Sequence, residues 1–483
     1  MRIDSVVSGE NTPARGGTRM SRRIFIAGLG AVAAGRLAPA RADAVDPGAW
    51  DALRRQLRGT VVLPEDGEFG SAKAVFEPRF DTLVPLAVVR AADENDVRTA
   101  MLFARDHGLP IAARAGGHSY VGASATSGAL VIDVRRLAEV RVHDERVTIG
   151  AGASNFAVQQ ALDRVRRTLP LGTCPTVGVA GLALGGGLGV ENRRYGLSCD
   201  RLVSAKLILP EGIAVETSPD RLPDLFWALR GAGGSVGIVT SLTFATIPAE
   251  PKDVVRLAFP VDTATSVLNG WASWLPTADR AVWANLQISA TAAGVGCSAL
   301  LTCPAGRGGE AAQALAAAAG VTPTRTDRRI LTHLEAVRNL GGGETTARSD
   351  KAAGSDVLTT ASPAAAETIV DLVAARSRSG ARGYVLIDPL DGAVRETAAG
   401  ATAFPWRDHA ATLQWIVDQP DATARSWILD AHRALDRHSV GAYVNYLEPG
   451  DDPRRYYGPN LDRLRMLRRI IDPGGRLRPG IEF

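Results

Sequence analysis

The chain has 483 residues, too many for one hydrophobic core, so at least two domains are expected. Hydrophobic residues make up 46% and charged residues 22%, the balance of a globular protein rather than a disordered or fibrous one. The formal charge of +4 resides in the first 44 residues, which hold seven arginines and three acids; the remainder is close to neutral, and no basic patch argues for nucleic acid or an anionic membrane surface.

Ser21-Arg22-Arg23-Ile24-Phe25-Ile26 is a twin-arginine pattern, followed by the apolar run Ala27 to Ala34. Small-residue cleavage points stand at Ala38-Pro39-Ala40 and Ala42-Asp43-Ala44. The run is too short for a membrane span, which needs about 20 residues. Residues 1–44 therefore read as a twin-arginine signal, and the protein is expected to be exported, already folded, to the periplasm or the medium. Gly28-Leu29-Gly30 with Gly35 imitates a dinucleotide-binding glycine motif, but no strand precedes it.

Beyond the signal, Leu83–Arg90 reads as a strand, and Asp93 to Asp96 supply the cap and early acids of a helix through Ala104. Gly108 and Pro110 stop that helix. Ile111–Arg114 is a strand running into Ala115-Gly116-Gly117-His118-Ser119-Tyr120. Leu130–Val134 is another strand, and Val140–Val142 and Val147–Ile149 form a hairpin. Asn155–Arg167 has weak helical spacing. Gly172 to Gly189 contains seven glycines in eighteen residues, which excludes a regular helix or strand at ordinary cost and brings the backbone close to something. Cys174 stands inside this stretch, before Pro175. A second hairpin, 202–217, a short helix, 222–229, the loop Gly231-Ala232-Gly233-Gly234 and the strand Ile238–Ile247 follow. Residues 253–440 alternate strands with alanine-rich helices. Strands are expected at 254–259, 282–288, 297–301 and 384–387, and helices at 310–319 and 364–377. The tail, 441–483, is rich in aromatics and turns. The fold class is α+β. Cys297 and Cys303 admit either a disulfide or two buried thiols, and no Cys/His spacing suggests a metal.

Two consecutive glycines after a strand let backbone N–H groups close around a diphosphate. A cysteine among glycines at an anion site is favoured as thiolate. Asp224 to Thr240 supplies a third element, and Tyr443-Val444-Asn445-Tyr446 with Tyr456 to Asn460 a fourth. In this order the four elements resemble the berberine bridge enzyme-like branch of the FAD-linked oxidases, in the vanillyl-alcohol oxidase superfamily.

The resemblance implies a two-subdomain FAD-binding domain over 46–246. It implies a substrate domain over 247–440, with an antiparallel sheet flanked by helices, and a C-terminal segment, 441–483, that completes the FAD domain. It implies FAD bonded covalently to His118 and Cys174. Arg114, Ala115, Gly116, Gly117 and Ser119 would cradle the pyrophosphate. Gly178, Gly181, Gly187 and Gly189 would approach the cofactor, Ile238 and Val239 would meet it through backbone, and Tyr443, Asn445 and Asn460 would flank it. Tyr446 matches the family's tyrosine base and Asp388 its aspartate partner, which would raise rather than lower the tyrosine pKa. Val177 matches a position that controls oxygen access. Gln414 stands where plant alkaloid-forming members carry a glutamate base, so simple dehydrogenation is preferred to bridge formation. Ala115 and Ser235-Val236 depart from the usual glycine and Asn-Phe. The implied activity is oxidation of a hydroxyl or amine of a sugar, oligosaccharide or secondary metabolite, with molecular oxygen as acceptor. A dehydrogenase using another acceptor and a flavin-binding protein without turnover are the competing readings.

Overall fold

Asp46 opens the first helix, Pro47–Gln56, by accepting the Gly48 N–H, and Trp50 and Leu53 face the interior from it. The computed structural model describes residues 45–483, so the twin-arginine pattern, both cleavage points and Gly28-Leu29-Gly30 lie outside the described residues. Four strands then build a small sheet: β1 (Thr60–Val62), β2 (Ala87–Arg90), β3 (Ile111–Arg114) and β4 (Leu130–Asp133), in the order β1-β2-β4-β3. The last three are mutually parallel, and every residue of β4 is buried, as fits a parallel sheet covered on both faces. Strand β2 starts at Ala87 rather than Leu83 because Pro85 has no N–H to give a ladder.

The helix Glu94–Asp106 crosses from β2 to β3. Asp93 caps it by accepting the Asp96 N–H at 3.0 Å. Asp96 in turn accepts the N–H groups of Arg58, Gly59 and Ala92 at 2.8–2.9 Å, so one buried carboxylate ties the helix start to both neighbouring strands. The chain end returns to this sheet: Ile111 N donates to Arg476 O and Arg478 N to Ile111 O, both at 2.8 Å. Residues 476–478 thereby run beside β3, the strand that leads into the site.

A second sheet contains β5 (Val140–His143) and β6 (Arg146–Gly150). After β7 (Arg167–Thr168) come β8 (Leu202–Ile208), β9 (Ala214–Thr217) and β10 (Ile238–Ala245); β11 (Ile247–Pro248) pairs back to β7. The sheet order is β5-β6-β10-β8-β9, all antiparallel.

The third sheet has eight antiparallel strands: β12 (Lys252–Ala258), β13 (Trp283–Thr291), β14 (Gly294–Pro304), β15 (Arg325–Leu331), β16 (Lys351–Leu358), β17 (Gly383–Pro389), β18 (Ala411–Asp418) and β19 (Ser439–Gly441). Their order is β15-β12-β14-β13-β17-β18-β16-β19. Side chains alternate across this sheet. Ala284, Leu286 and Ile288 of β13, Val385 and Ile387 of β17, and Leu413, Trp415 and Val417 of β18 form one core with the helices Ala264–Trp274, Gly308–Ala319, Pro363–Arg378 and Ala424–Leu435. Gly270 lets two of those helices touch, since a Cβ there would meet the Ala319 backbone at 2.4 Å. The intervening residues of β13, β17 and β18 face the site.

Cys297 and Cys303 are both buried free thiols, which removes the disulfide alternative. They lie six residues apart on the extended strand β14, and at about 3.3 Å rise per residue their Cα atoms stand far beyond the ~7 Å limit for a bridge. Among the described residues no helix is long and apolar enough to cross a membrane.

Candidate FAD site

Strand β3 delivers Arg114 into the loop Ala115–Tyr120. Gly116 rests on the second glycine segment: a Cβ at Gly116 would strike Gly178 N at 2.3 Å, and one at Gly178 would strike Gly116 N at 2.5 Å. Neither position admits a side chain. Backbone contact between the two loops brings His118 and Cys174 to one wall of a cavity of about 540 Å³, within the range of small-molecule and cofactor sites.

His118 is stacked on Phe76, with ring centroids 4.1 Å apart, and its Nε2 lies 3.0 Å from Thr176 Oγ1. Burial lowers its pKa to about 4, with a Thr176 backbone hydrogen bond acting the other way, so the ring is neutral at pH 7. Cys174 Sγ lies 3.8 Å from the same Thr176 hydroxyl and 3.6 Å from Thr346 Oγ1. Asn155 pins the cysteine loop: its Nδ2 donates to the Gly172 and Cys174 carbonyls, both at 3.1 Å, and its backbone N–H donates to Val177 O at 2.8 Å. Val177 lines the cavity directly beyond Cys174.

Gly181, Gly233 and Gly234 also line the cavity, and a Cβ on any of them would meet nothing within 4 Å. Their open sides face the cavity. Gly117, Ser119, Gly189, Ile238 and Val239 border the same cavity. Asn445 and Tyr443 line the cavity and hold the glycine run: Tyr443 Oη accepts the N–H groups of Gly187 and Leu188, and Asn445 Nδ2 donates to Leu182 O and Tyr443 Oη.

The opposite wall comes from the eight-stranded sheet and the residues after it. Asp388 (β17) accepts from Asn285 (β13) at 3.1 Å; burial raises its pKa to about 6, with the Asn285 bond opposing. Tyr446 stacks over Tyr120, centroids 5.9 Å apart, and meets Tyr443 edge-on at 4.9 Å. Burial, then the nearby Asp388 carboxylate, push the Tyr446 phenol well above its ordinary value. Tyr446 is therefore a phenol, not a phenolate, at neutral pH, and the sign of the aspartate's effect is the one expected. Gln414 (β18) donates from Nε2 to Tyr120 Oη at 2.8 Å, and burial raises the Tyr120 pKa as well.

Two expected cofactor residues, Asn460 and Gly187, stand off the cavity. Asn460 stands away from the cavity, its Nδ2 donating to the carbonyls of Ala399, Thr402 and Ala403. It holds the loop that carries Phe404, and has no amide hydrogen left for a flavin. Gly187 is also behind the wall, with φ +89°, and a Cβ there would strike Ser198 Oγ at 2.3 Å. Arg114 borders the cavity; its Nη2 bonds Asp133 at 2.7 Å and the Ala72 carbonyl, while its Nε and Nη1 are buried without a partner. Conversely, Tyr120, Thr176, Asn155, Asn285, Phe76 and Thr346 were not singled out by the motifs. Tyr120 and Thr176 lie within the two loop motifs and were within reach of the sequence. Asn285 and Thr346 reach the site only through tertiary pairing.

A family model described as an FAD binding domain matches residues 85–218, the stretch that supplies the two glycine loops. FAD-linked oxidoreductase YgaK of Bacillus subtilis is 30% identical over 443 residues, covering 87% of this chain and 95% of that protein. This chain belongs to the FAD-linked oxidoreductases. Xylooligosaccharide oxidase of Thermothelomyces thermophilus is 29% identical over 463 residues, 88% of this chain and 92% of that protein. The solved glucooligosaccharide oxidase of Acremonium strictum, described with a 6-S-cysteinyl, 8α-N1-histidyl FAD, shares the fold at TM-score 0.81 and 23% identity, over 89% of this chain and 97% of its own. The residues present fit the cofactor of this enzyme family: backbone glycines open onto the cavity, a neutral imidazole and a thiol lie on one wall, and ionisable oxygens lie on the other.

Proposed function

We propose that this enzyme is an oxidase whose FAD is bonded to both His118 and Cys174, and that it oxidises a hydroxyl of a sugar or oligosaccharide with dioxygen as acceptor. The observation that carries the reading is the sharing of one Thr176 hydroxyl by His118 Nε2 and Cys174 Sγ, across the cavity from Tyr446 and Asp388. The glucooligosaccharide oxidase with its cysteinyl and histidyl links and the xylooligosaccharide oxidase relative support both halves of it.

Bound FAD would accept a hydride from the substrate carbon. The protein has to orient the hydroxyl and take its proton. Tyr446, held neutral, would accept that proton only while passing its own onward, and the Asp388 carboxylate, ionised above about pH 6 and near enough to raise the phenol's pKa, would be the receiving group. Asn285 orients Asp388, and Gln414 holds the Tyr120 ring against Tyr446. Gln414 cannot itself take a proton. Val177, small and branched, leaves dioxygen a path, which supports oxidase rather than dehydrogenase chemistry.

Two hydrolysis-resistant links suit an enzyme exported in its folded state. The twin-arginine pattern supports that route, and Arg22→Lys with Arg23→Lys should retain the protein in the cytoplasm.

Aerobic turnover of an oligosaccharide panel, with peroxide measured against substrate consumed, tests the activity. Equal amounts support the oxidase. Reduction of an artificial acceptor without peroxide would establish the dehydrogenase instead. Flavin that no member of the panel bleaches anaerobically would exclude a sugar substrate.

A further inference from the structure

We infer that Thr176 is the positioning residue that readies both flavin-attaching side chains, accepting a hydrogen bond from His118 and donating one to Cys174. The inference rests on the two-bond reading above. A threonine hydroxyl has one hydrogen to give and two lone pairs to offer. Thr176 Oγ1 lies 3.0 Å from His118 Nε2 and 3.8 Å from Cys174 Sγ. If the ring carries its proton on Nε2, that proton goes to Thr176, the hydroxyl hydrogen is free for the sulfur, and the Nδ1 lone pair is free for carbon. If the proton sat on Nδ1, Nε2 would consume the hydroxyl hydrogen, and the attacking nitrogen would be blocked. The Nε2–H tautomer is therefore the one in which a single hydroxyl serves both nucleophiles, beside the hydrogen bond that the Thr176 backbone makes to the same ring.

The surroundings keep this arrangement in place. Phe76, stacked on His118, resists rotation of the ring. Asn155 holds the loop on which Cys174 and Thr176 both sit. Thr346 brings a second hydroxyl to within 3.6 Å of the sulfur from the segment just past Gly341–Gly343.

Each attachment is a two-electron oxidation. A flavin C–H bond and a protein N–H or S–H bond are lost and a C–N or C–S bond forms. Two protons are released, and the electron pair stays on the flavin until dioxygen removes it as hydrogen peroxide. On the histidine side the departing proton is the one on Nε2, which Thr176 holds in a hydrogen bond until it passes to solvent.

Thr176→Val keeps the branched shape and removes the hydroxyl; Thr176→Ser keeps the hydroxyl. Both are purified beside the wild type and checked by circular dichroism. Flavin that stays with acid-precipitated protein is measured, and the flavin-bearing peptides are weighed after proteolysis. Loss of two hydrogen bonds predicts at least about a tenfold drop in doubly linked flavin for Thr176→Val, with the fold retained, and near wild-type linkage for Thr176→Ser. Wild-type linkage in Thr176→Val, failure of Thr176→Ser to restore it, or unfolding of Thr176→Val would each overturn the inference, the last by making the residue structural. A wild type that itself releases all flavin in acid overturns the two-bond reading first, and is told apart because the defect is already present without substitution.

Discussion

The two walls of the cavity are made in different ways. The cofactor wall is built from two contiguous loops, 115–120 and 172–189, in which backbone does the fitting; a side chain at Gly116 or Gly178 would collide with the opposing loop. The other wall is built from alternate residues of separate strands, with Asn285 on β13, Asp388 on β17 and Gln414 on β18. A large ligand gripped through main chain forces glycines into fixed sequence spacing. A wall read one side chain per strand leaves each position free to vary.

That contrast sets the order of expected effects. Removing both His118 and Cys174 as alanine should abolish acid-stable flavin, whereas Cys174→Ala alone should keep the flavin attached through His118; acid precipitation distinguishes them. On the opposite wall, Tyr446→Phe should lower kcat by roughly 10²–10⁴-fold, the usual worth of a proton-transfer group, while leaving the flavin content unchanged. A Tyr446→Phe enzyme with wild-type turnover would remove Tyr446 from the chemistry.

Asp388→Asn should have a smaller effect, about 10-fold to 10²-fold, and should alter the pH profile. With its pKa raised to about 6, Asp388 accepts a proton only above that pH, so kcat/KM should fall as pH drops through about 6 in the wild type. The asparagine variant should lose that limb. Val177→Leu should slow peroxide formation while sparing reduction of an artificial acceptor; equal slowing of both would mean the residue only packs.

The smallest expected effect is on stability. His432 lies 2.7 Å from Asp356 and 2.9 Å from Glu448, and its pKa is raised to about 9: burial opposes the shift, and the two carboxylates outweigh it. A raised folded-state pKa stabilises fully below the unfolded value of about 6.5 and is lost as pH rises through about 9. Thermal unfolding of His432→Gln should therefore lie a few degrees below the wild type near pH 6.5, with the two converging above pH 9. His333, depressed to about 4 chiefly by burial, acts oppositely, and its neutral form costs stability as pH falls from about 6.5 toward 4.

The same contrast explains what the sequence discloses. Glycine spacing, the helix cap at Asp93 and the turns around Gly108 and Pro110 are local signals, so the α+β character and the two loops were legible. Strands β16 and β18 were missed, since Lys351–Leu358 and Ala411–Asp418 mix apolar and polar residues without turn signals at both ends. The C-terminal helix Leu461–Ile471 was hidden by its arginines, although Leu461, Leu464, Leu467 and Ile471 bury one clean face. Asn460 was misplaced because an asparagine near a turn carries no sign of which carbonyls its amide will meet. Thr346 could not be assigned from sequence, since 172 residues separate it from Cys174.

The central claim is that one flavin joins the two loops of the cofactor wall. Proteolysis of the acid-denatured protein followed by mass spectrometry tests it most directly. The account predicts a single yellow species in which the peptide containing His118 and the peptide containing Cys174 are linked through one FAD. Free FAD in the acid supernatant, with both peptides at their unmodified masses, would contradict it.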